Sequence, residues 1–147
     1  MGNRAVIQMS KDGKYNKNNL AIYVHWNGGL DSVKAYLIAT KELMNGRNDF
    51  DYCCARLVQV ITTFHIGNIS VGLDLSENLD EDNFDNGVYI INMQTLEISQ
   101  RLYEPIIEQK NHGYQKMAED ILEKLKLLES PKKAVKLKEK NNAKVIL

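Results

Sequence analysis

The sequence predicts an α+β fold in which an antiparallel β-sheet packs with two central helices and a long C-terminal helix. Two observations carry this prediction. Short apolar runs with strand-like patterns occur before residue 25 and again between residues 68 and 101. The stretches between and after them repeat their apolar residues with the 3.6-residue period of a helix. The predicted order is therefore β-β-α-α-β-β-β-α.

The first half of the chain predicts two strands and two helices. Residues 5–9 (AVIQM) and 21–24 (AIYV) are the strands, joined as a hairpin by a polar turn. Between Asp31 and Gly46 the apolar residues fall on one helical face. Asp49 is a residue type that caps helices, so a second helix is predicted to begin there.

The second half predicts three further strands and the last helix. Residues 68–74 (NISVGLD) alternate apolar and polar side chains, which indicates a half-buried strand. Residues 88–93 (VYIINM) and 96–101 (LEISQR) form a predicted hairpin. The C-terminal helix is predicted from an apolar stripe, whose members are Ile107, Met117, Ile121, Leu125 and Leu128.

Composition indicates one globular domain, over residues 1–130, followed by a Lys-rich C-terminal helix or tail over 131–147. The chain has 147 residues, 44% of them hydrophobic, which is enough to bury a core. The tail has no Arg and no aromatic residue, so a solvated end is favoured over contact with polymeric nucleic acid. Without a signal peptide or a membrane span of about 20 apolar residues, we expect a cytoplasmic location.

The stretch AIYVHWNGGLDS (21–32) runs from a strand through a Gly-Gly turn into a helix. Such a helix start can seat a phosphate or carboxylate, with His25 and Trp26 stacking on a base beside Asn27 and Gly28. The turn matches neither the Walker motif nor Gly-x-Gly-x-x-Gly. The alternative, which we favour, is a structural turn with Trp26 packed in the core.

The stretch NLDEDNFDNG (78–87) is rich in carboxylates but is not an EF-hand loop, which requires Gly at its sixth position and Glu at its twelfth. In a ligand-binding interpretation, Asp82, Asp85 and Asn86 bind ribose hydroxyls or a base edge, and Phe84 stacks on the base. The alternative is a solvated loop with turn chemistry before a strand.

The four arginines stand out among fifteen lysines, because a guanidinium suits bidentate contacts with phosphate. Arg56 lies in a helix, Arg101 at the end of a strand and Arg4 before the first strand. The alternative for each is an ion pair with the acidic loop.

No catalytic or metal-binding constellation is evident in the sequence. The three histidines are scattered, and no serine has the glycine-flanked context of a nucleophile elbow. Cys53 and Cys54 are adjacent, which favours packing over a redox or metal site. We therefore predict a binding protein, not an enzyme, with no cofactor and no metal.

Several short segments together resemble the type-one Thoeris anti-defence proteins of phages. They are GNRAV, YVHWNGGLDSVKAYL, ARLVQVI and DNGVYII with a following Arg, and the resemblance covers residues 2–103. It implies a cytosolic sponge that sequesters cyclic ADP-ribose isomers without cleaving them, and that in some members also holds cyclic oligonucleotides. It further implies a homo-oligomer built from dimers, with ligand pockets between subunits.

The resemblance implies a pocket lined by Arg, Asn, Asp and an aromatic residue. The first residues that fit by type and context are Arg101, Asn86, Asp82 or Asp85, and Phe84. The second choices are Arg56 and the turn formed by His25, Trp26, Asn27 and Gly28. Arg101→Ala is then expected to weaken ligand binding a hundredfold or more. Two other interpretations stay open, a phage hydrolase that degrades a nucleotide signal and a protein–protein inhibitor of a host defence enzyme.

Overall fold

A computed structural model of the chain describes residues 2–67, 69–110 and 113–129. Its elements confirm the predicted order, with one short 3₁₀ turn added after the third strand. They are β1 (Ala5–Ser10), β2 (Leu20–Val24), α1 (Leu30–Met44), α2 (Phe50–Phe64), β3 (Val71–Leu75), the 3₁₀ turn (Ser76–Asn78), β4 (Val88–Asn92), β5 (Glu97–Leu102) and α3 (Tyr114–Glu129).

The sheet is mixed, which corrects the prediction of an antiparallel sheet. Its strand order is β3-β2-β1-β4-β5. Three neighbouring pairs are antiparallel, but the central pair of β1 and β4 is parallel, with Val6 opposite Val88. Parallel neighbours need a long crossover connection, which the chain from β2 through α2 to β3 provides. Both central strands are buried on both faces, as parallel strands usually are.

The main core lies between the sheet and the three helices. Alternate residues of the central strands, such as Ile7 and Tyr89, face it, and they pack against Tyr36 of α1, Leu57 of α2 and Ile121 of α3. A smaller apolar cluster covers the opposite face of the sheet. Its members are Val6, Ala21, Val88 and Ile90, with Tyr15, Tyr23, Leu79 and Leu102 packed against them.

The helix boundaries agree with the predicted turn chemistry only in part. The N-cap residue of α1 is Gly29, and Asp31 lies inside the first turn. Asp49 is the N-cap residue of α2, as predicted, but its side chain makes no capping hydrogen bond. The Asp49 carboxylate instead accepts a 3.0 Å hydrogen bond from Arg47.

A long C-terminal helix is not confirmed. Met117, Ile121 and Leu125 are buried in α3 as predicted, but Ile107 lies in the preceding loop and is 80% exposed. Pro105 disfavours helical backbone at the residue before it, which helps to keep this segment out of a helix. The side chain of Leu128 and all of residues 131–147 lie outside the described residues.

The strand predicted over 68–74 is β3, which begins later and lies at the edge of the sheet. Its burial does not alternate as predicted, because Val71 and Gly72 are half-buried while Leu73, Asp74 and Leu75 are exposed. An edge strand has a neighbour on one side only. Leu73 is therefore 53% exposed and Ile69, before the strand, is 96% exposed. Within the described residues, no helix is long and apolar enough to cross a membrane.

Candidate functional site

Most of the predicted site residues meet at one end of the sheet. There, β1 and β4 begin while β2 and β5 end, because Ala5 pairs with Val24 and Val88 pairs with Leu102. The segments 2–4, 25–29, 83–87 and 103–110 consequently lie together, beside the start of α1. Strand pairing thus gathers residues that are far apart in the chain, such as Arg4 and Asp85, which are 81 positions apart.

The Gly-Gly turn after β2 is tightly packed against the start of β1, and whether it also contacts a ligand stays a prediction. The Gly28 N–H donates to the Asn3 carbonyl at 2.8 Å, and the Gly28 carbonyl accepts from the Tyr89 hydroxyl at 2.8 Å. A Cβ at Gly28 would lie 2.6 Å from the Ala5 Cβ, so only glycine fits. The Asn27 carbonyl accepts from the buried Tyr36 hydroxyl at 2.8 Å. The Gly28 N–H and the carbonyls of Asn27 and Gly28 are therefore all hydrogen-bonded within the protein.

Trp26 corrects the prediction that it packs in the core. It is 38% exposed, and its ring meets the edge of the His25 ring with centroids 5.0 Å apart. The reason is local, because β2 ends at Val24 and the turn carries the next two side chains beyond the sheet. The His25 Nδ1 atom lies 3.0 Å from the Tyr23 hydroxyl.

Asn83 organises the acidic loop, and sequence reasoning missed it. It is fully buried, and its Oδ1 atom accepts hydrogen bonds of 3.0–3.1 Å from the N–H groups of Asp85, Asn86 and Gly87. Asn86 is also buried, and its Nδ2 donates to the Asn3 side chain and the Arg4 carbonyl. The sequence did contain a signal for this role of Asn83, because an Asn shortly before Asp85, Asn86 and Gly87 is typical of Asx turns.

Arg4 and Asp85 form the ion pair that was the alternative to ligand binding. The Arg4 Nε lies 2.7 Å from the Asp85 carboxylate, which also accepts from the Arg4 backbone N–H at 3.0 Å. Partial burial acts to raise the pKa of Asp85, but these hydrogen bonds and the nearby positive charge outweigh it and lower that pKa. Asp85 is thus a charged partner that holds the loop against the start of β1.

Arg101 also makes contacts within the protein, but its ion-pair partner, Glu108, lies outside the acidic loop. Its side chain is 10% exposed, pairs with Glu108 and donates to the Asn86 carbonyl at 3.0 Å. The guanidinium stacks 4.1 Å above the centre of the Tyr89 ring. The Arg101 Nε and Glu108 Oε2 atoms are buried without a partner in the described structure. Arg101 therefore ties the acidic loop to segment 103–110, and its direct contact with a ligand stays a prediction.

The remaining predicted residues are placed differently. Phe84 is 89% exposed at a left-handed φ of 63°, and Asp82 is exposed on the same loop. Arg56 is half-buried midway along α2 and is not part of this end of the sheet. A cavity of about 140 Å³ touches Phe84, Asp85 and Asn86 together with Gln109 of segment 103–110.

A larger cavity of about 590 Å³ adjoins the first, because Gln109 lines both. We call it the helix-start cavity, since it lies between the first turns of α1 and α3. None of the predicted site residues lines it. Its described lining residues are Leu30, Asp31, Lys34, Glu108, Gln109, Lys110, Gly113, Tyr114, Gln115 and Lys116.

The helix-start cavity suits an anion with an aromatic part. The first turn of each helix directs backbone N–H groups and a positive dipole toward its start. In α1 the Ser32 N–H already donates to the Asp31 carboxylate at 2.8 Å. The first turn of α3 holds no acidic residue and instead holds Lys116. Lys34 lies 5.6 Å from the centre of the Tyr114 ring, which is 39% exposed. Of the two acidic residues that line the cavity, Glu108 forms an ion pair with Arg101.

The described residues include histidines and cysteines whose surroundings bear on metal binding and reactivity. No group of three or more His, Cys, Asp or Glu residues among them is arranged to hold a metal ion. His65 is buried, and burial lowers its pKa. Burial also raises the pKa of Cys54 to about 12, which keeps its thiol protonated and agrees with the packing interpretation. His112 lies outside the described residues.

No protein-family profile, curated protein or solved structure matches this chain. The resemblance to the Thoeris anti-defence proteins therefore stays a prediction based on the short segments quoted above.

Proposed function

We propose that the protein is a non-catalytic binder that sequesters a small phosphate-bearing nucleotide in the helix-start cavity. The observation that carries the proposal is the meeting of two helix starts, three lysines and one exposed tyrosine around a single cavity of about 590 Å³. Cavities of roughly 300–1,000 Å³ are typical of small-molecule sites. The ligand class that the sequence resemblance implies, a cyclic ADP-ribose isomer or another cyclic nucleotide signal, has the corresponding chemistry.

Phosphate recognition rests on the helix starts and the lysines. Backbone N–H groups at a helix start bind anions without needing a particular side chain. Lys34, Lys110 and Lys116 add positive charge to the lining, which also holds the carboxylates of Asp31 and Glu108. The Lys116 ammonium forms a 2.7 Å ion pair with Asp120, outside the lining, so phosphate would share this cation with that carboxylate. A cation in the first turn of α3 is unfavourable for that helix, and a bound anion would add to the compensation that Asp120 already provides.

Base and ribose recognition rest on the other lining residues. The exposed ring of Tyr114 offers a face on which an adenine can stack, and Leu30 provides apolar surface beside it. The Asp31 carboxylate and the Gln109 and Gln115 amides are acceptors of the kind that ribose hydroxyls need. A ligand that extends past Gln109 would reach the smaller cavity, where Phe84 and Asn86 lie.

Sequestration is favoured over hydrolysis. The described lining of the helix-start cavity contains no serine, cysteine or histidine, so it lacks the usual nucleophiles and the commonest general base. A sponge needs affinity without chemistry, and nanomolar binding corresponds to about −12 kcal/mol. In this proposal the protein acts in the cytosol of a phage-infected bacterium, where it lowers the concentration of an immune signal.

Titration calorimetry with cyclic ADP-ribose isomers tests the site. The double variant Lys34→Ala/Lys116→Ala is expected to bind at least tenfold more weakly, because two charged contacts to phosphate are lost. Lys41→Ala is the matched control, since it removes an exposed lysine from the same helix two turns away. Equal affinities for the double variant and the control would contradict the proposal.

Recovery of the ligand tests the mechanism. The protein is incubated with the nucleotide and then denatured, and the released material is analysed by mass spectrometry. Intact nucleotide is expected from a sponge, whereas a cleaved product would identify a hydrolase. Absence of any nucleotide binding, with a host protein captured instead, would favour the inhibitor interpretation.

A further inference from the structure

We propose that two copies of this chain pair through β3, edge to edge and antiparallel, so that their two sheets form one continuous ten-stranded sheet. The inference does not depend on the proposed ligand. It rests on the open edge of β3, on the direction of its backbone groups, and on a register in which the strand complements itself.

The edge of β3 lacks most of the features that usually prevent pairing, and its one charged residue is Asp74. The strand hydrogen-bonds to β2 on one side, and it is the last strand in the sheet. Lysine, proline and bulges protect edge strands, and Val71–Leu75 contains none of these. The opposite edge, β5, contains Glu97 and Arg101 and has an irregular register against β4. The two edges are therefore protected unequally.

Two hydrogen bonds define which backbone groups of β3 point outward. The His25 N–H donates to the Ser70 carbonyl at 3.1 Å, and the Ser76 N–H donates to the Asn19 carbonyl at 2.8 Å. In an antiparallel pair the direction of the backbone groups alternates along the strand. The even-numbered residues of β3 therefore face β2, whereas Val71, Leu73 and Leu75 direct their N–H and C=O groups to the open edge.

A register centred on Leu73 makes β3 complementary to its own copy. Leu73 then lies opposite Leu73 of the second copy, and Val71 lies opposite Leu75, so all three outward-directed residues exchange hydrogen bonds. Asp74 lies opposite Gly72, which keeps the two carboxylates apart. A register centred on Asp74 would set those carboxylates directly opposite each other, and like charges in that position are destabilising.

The apolar side chains of the edge support the same register. Leu73 is 53% exposed and Leu75 is 37% exposed, and both pair with apolar residues of β2 on the helix-bearing face. Pairing about Leu73 would bring these side chains into contact with those of the second copy. The Leu75 N–H now donates to the Asp74 carboxylate at 2.6 Å, and this local bond would be replaced by one to Val71 of the second copy.

Sedimentation equilibrium of the full chain tests the proposal, with Leu73→Lys and Leu73→Pro as variants. Proline removes only an outward-directed N–H, and lysine adds charge at an exposed position, so β2–β3 pairing is expected to persist. We expect a dimer in the parent protein and an increase of at least 100-fold in its dissociation constant in both variants. Leu73→Val, which keeps an apolar side chain and the N–H, is the matched control and is expected to stay dimeric.

Three results would overturn the proposal. They are a parent protein that sediments as a monomer at every concentration, a dimer that survives both Leu73→Lys and Leu73→Pro, and a dimer that is lost when residues 131–147 are deleted. Circular dichroism melting accompanies each variant. A folded Leu73→Pro or Leu73→Lys monomer supports the proposal, whereas loss of the dimer only in unfolded variants contradicts it.

Discussion

Replacing Arg101 with methionine removes a buried cation from a set of contacts that joins three parts of the chain. The methionine keeps apolar contact with Tyr89 but loses the ion pair with Glu108 and the hydrogen bond to the Asn86 carbonyl. Removing one partner of a buried ion pair costs about 3–5 kcal/mol. The Glu108 side chain is 29% exposed, so solvent reduces this cost. We therefore expect the free energy of unfolding to fall by roughly 2–3 kcal/mol, which is less than for a fully buried pair because Glu108 is partly exposed.

Urea unfolding followed by circular dichroism measures this loss. In a domain of this size, each kcal/mol corresponds to roughly 3–4 °C in the melting temperature, so thermal melts provide a second readout. The double variant Arg101→Met/Glu108→Gln is the control, because it removes both charges together. It is expected to recover about half of the lost stability, since no buried charge is left unpaired. A loss below about 0.5 kcal/mol in Arg101→Met would refute the structural role of Arg101.

Three further predictions concern stability and can be measured in the same unfolding assay. Asn83→Ala is expected to lose about 2–3 kcal/mol, because the Asp85 and Gly87 N–H groups lose their acceptor and the Asn86 N–H keeps only its bond to the Arg4 carbonyl; a loss below about 0.5 kcal/mol would contradict this. Gly28→Ala is expected to lose about 2–3 kcal/mol, because its Cβ would lie 2.6 Å from the Asn3 carbonyl, whereas Gly72→Ala, with its nearest contact at 3.9 Å, should cost far less. Burial lowers the pKa of His65 below its ordinary 6.5, so the unfolded chain binds the proton more readily. The stability that neutral His65 contributes is thus complete above pH 6.5 and declines as the pH falls below it; a His65→Gln variant with an unchanged pH profile would contradict this assignment.

The order of elements could be predicted from the sequence because periodicity is local. Apolar spacing distinguishes the helical stretch before Met44 from the strand that starts at Val88 without knowledge of either partner. Strand direction is not local, since β1 and β4 become parallel neighbours through a crossover of many residues. The unbroken apolar run VYII of β4, which does not alternate with polar residues, was the available signal for a central parallel strand.

The candidate site could be predicted only where strand pairing assembles it. Asn86 and Arg101 do meet, because the start of β4 lies beside the end of β5. The helix-start cavity depends instead on segment 103–110 folding back beside α1, and no motif in that segment signals this path. Trp26 was misplaced for a related reason, because the exact end of β2 decides whether its side chain faces the core.

The amide signals of the protein during a nucleotide titration test the central claim most directly. Heteronuclear NMR spectra are recorded while a cyclic ADP-ribose isomer is added to the full chain. We predict that the largest shifts occur at the first turns of α1 and α3, at Leu30, Asp31, Gln115 and Lys116, with smaller shifts near Gln109. Shifts confined to the exposed loop around Phe84 and Trp26, or no shifts at all, would contradict binding in the helix-start cavity.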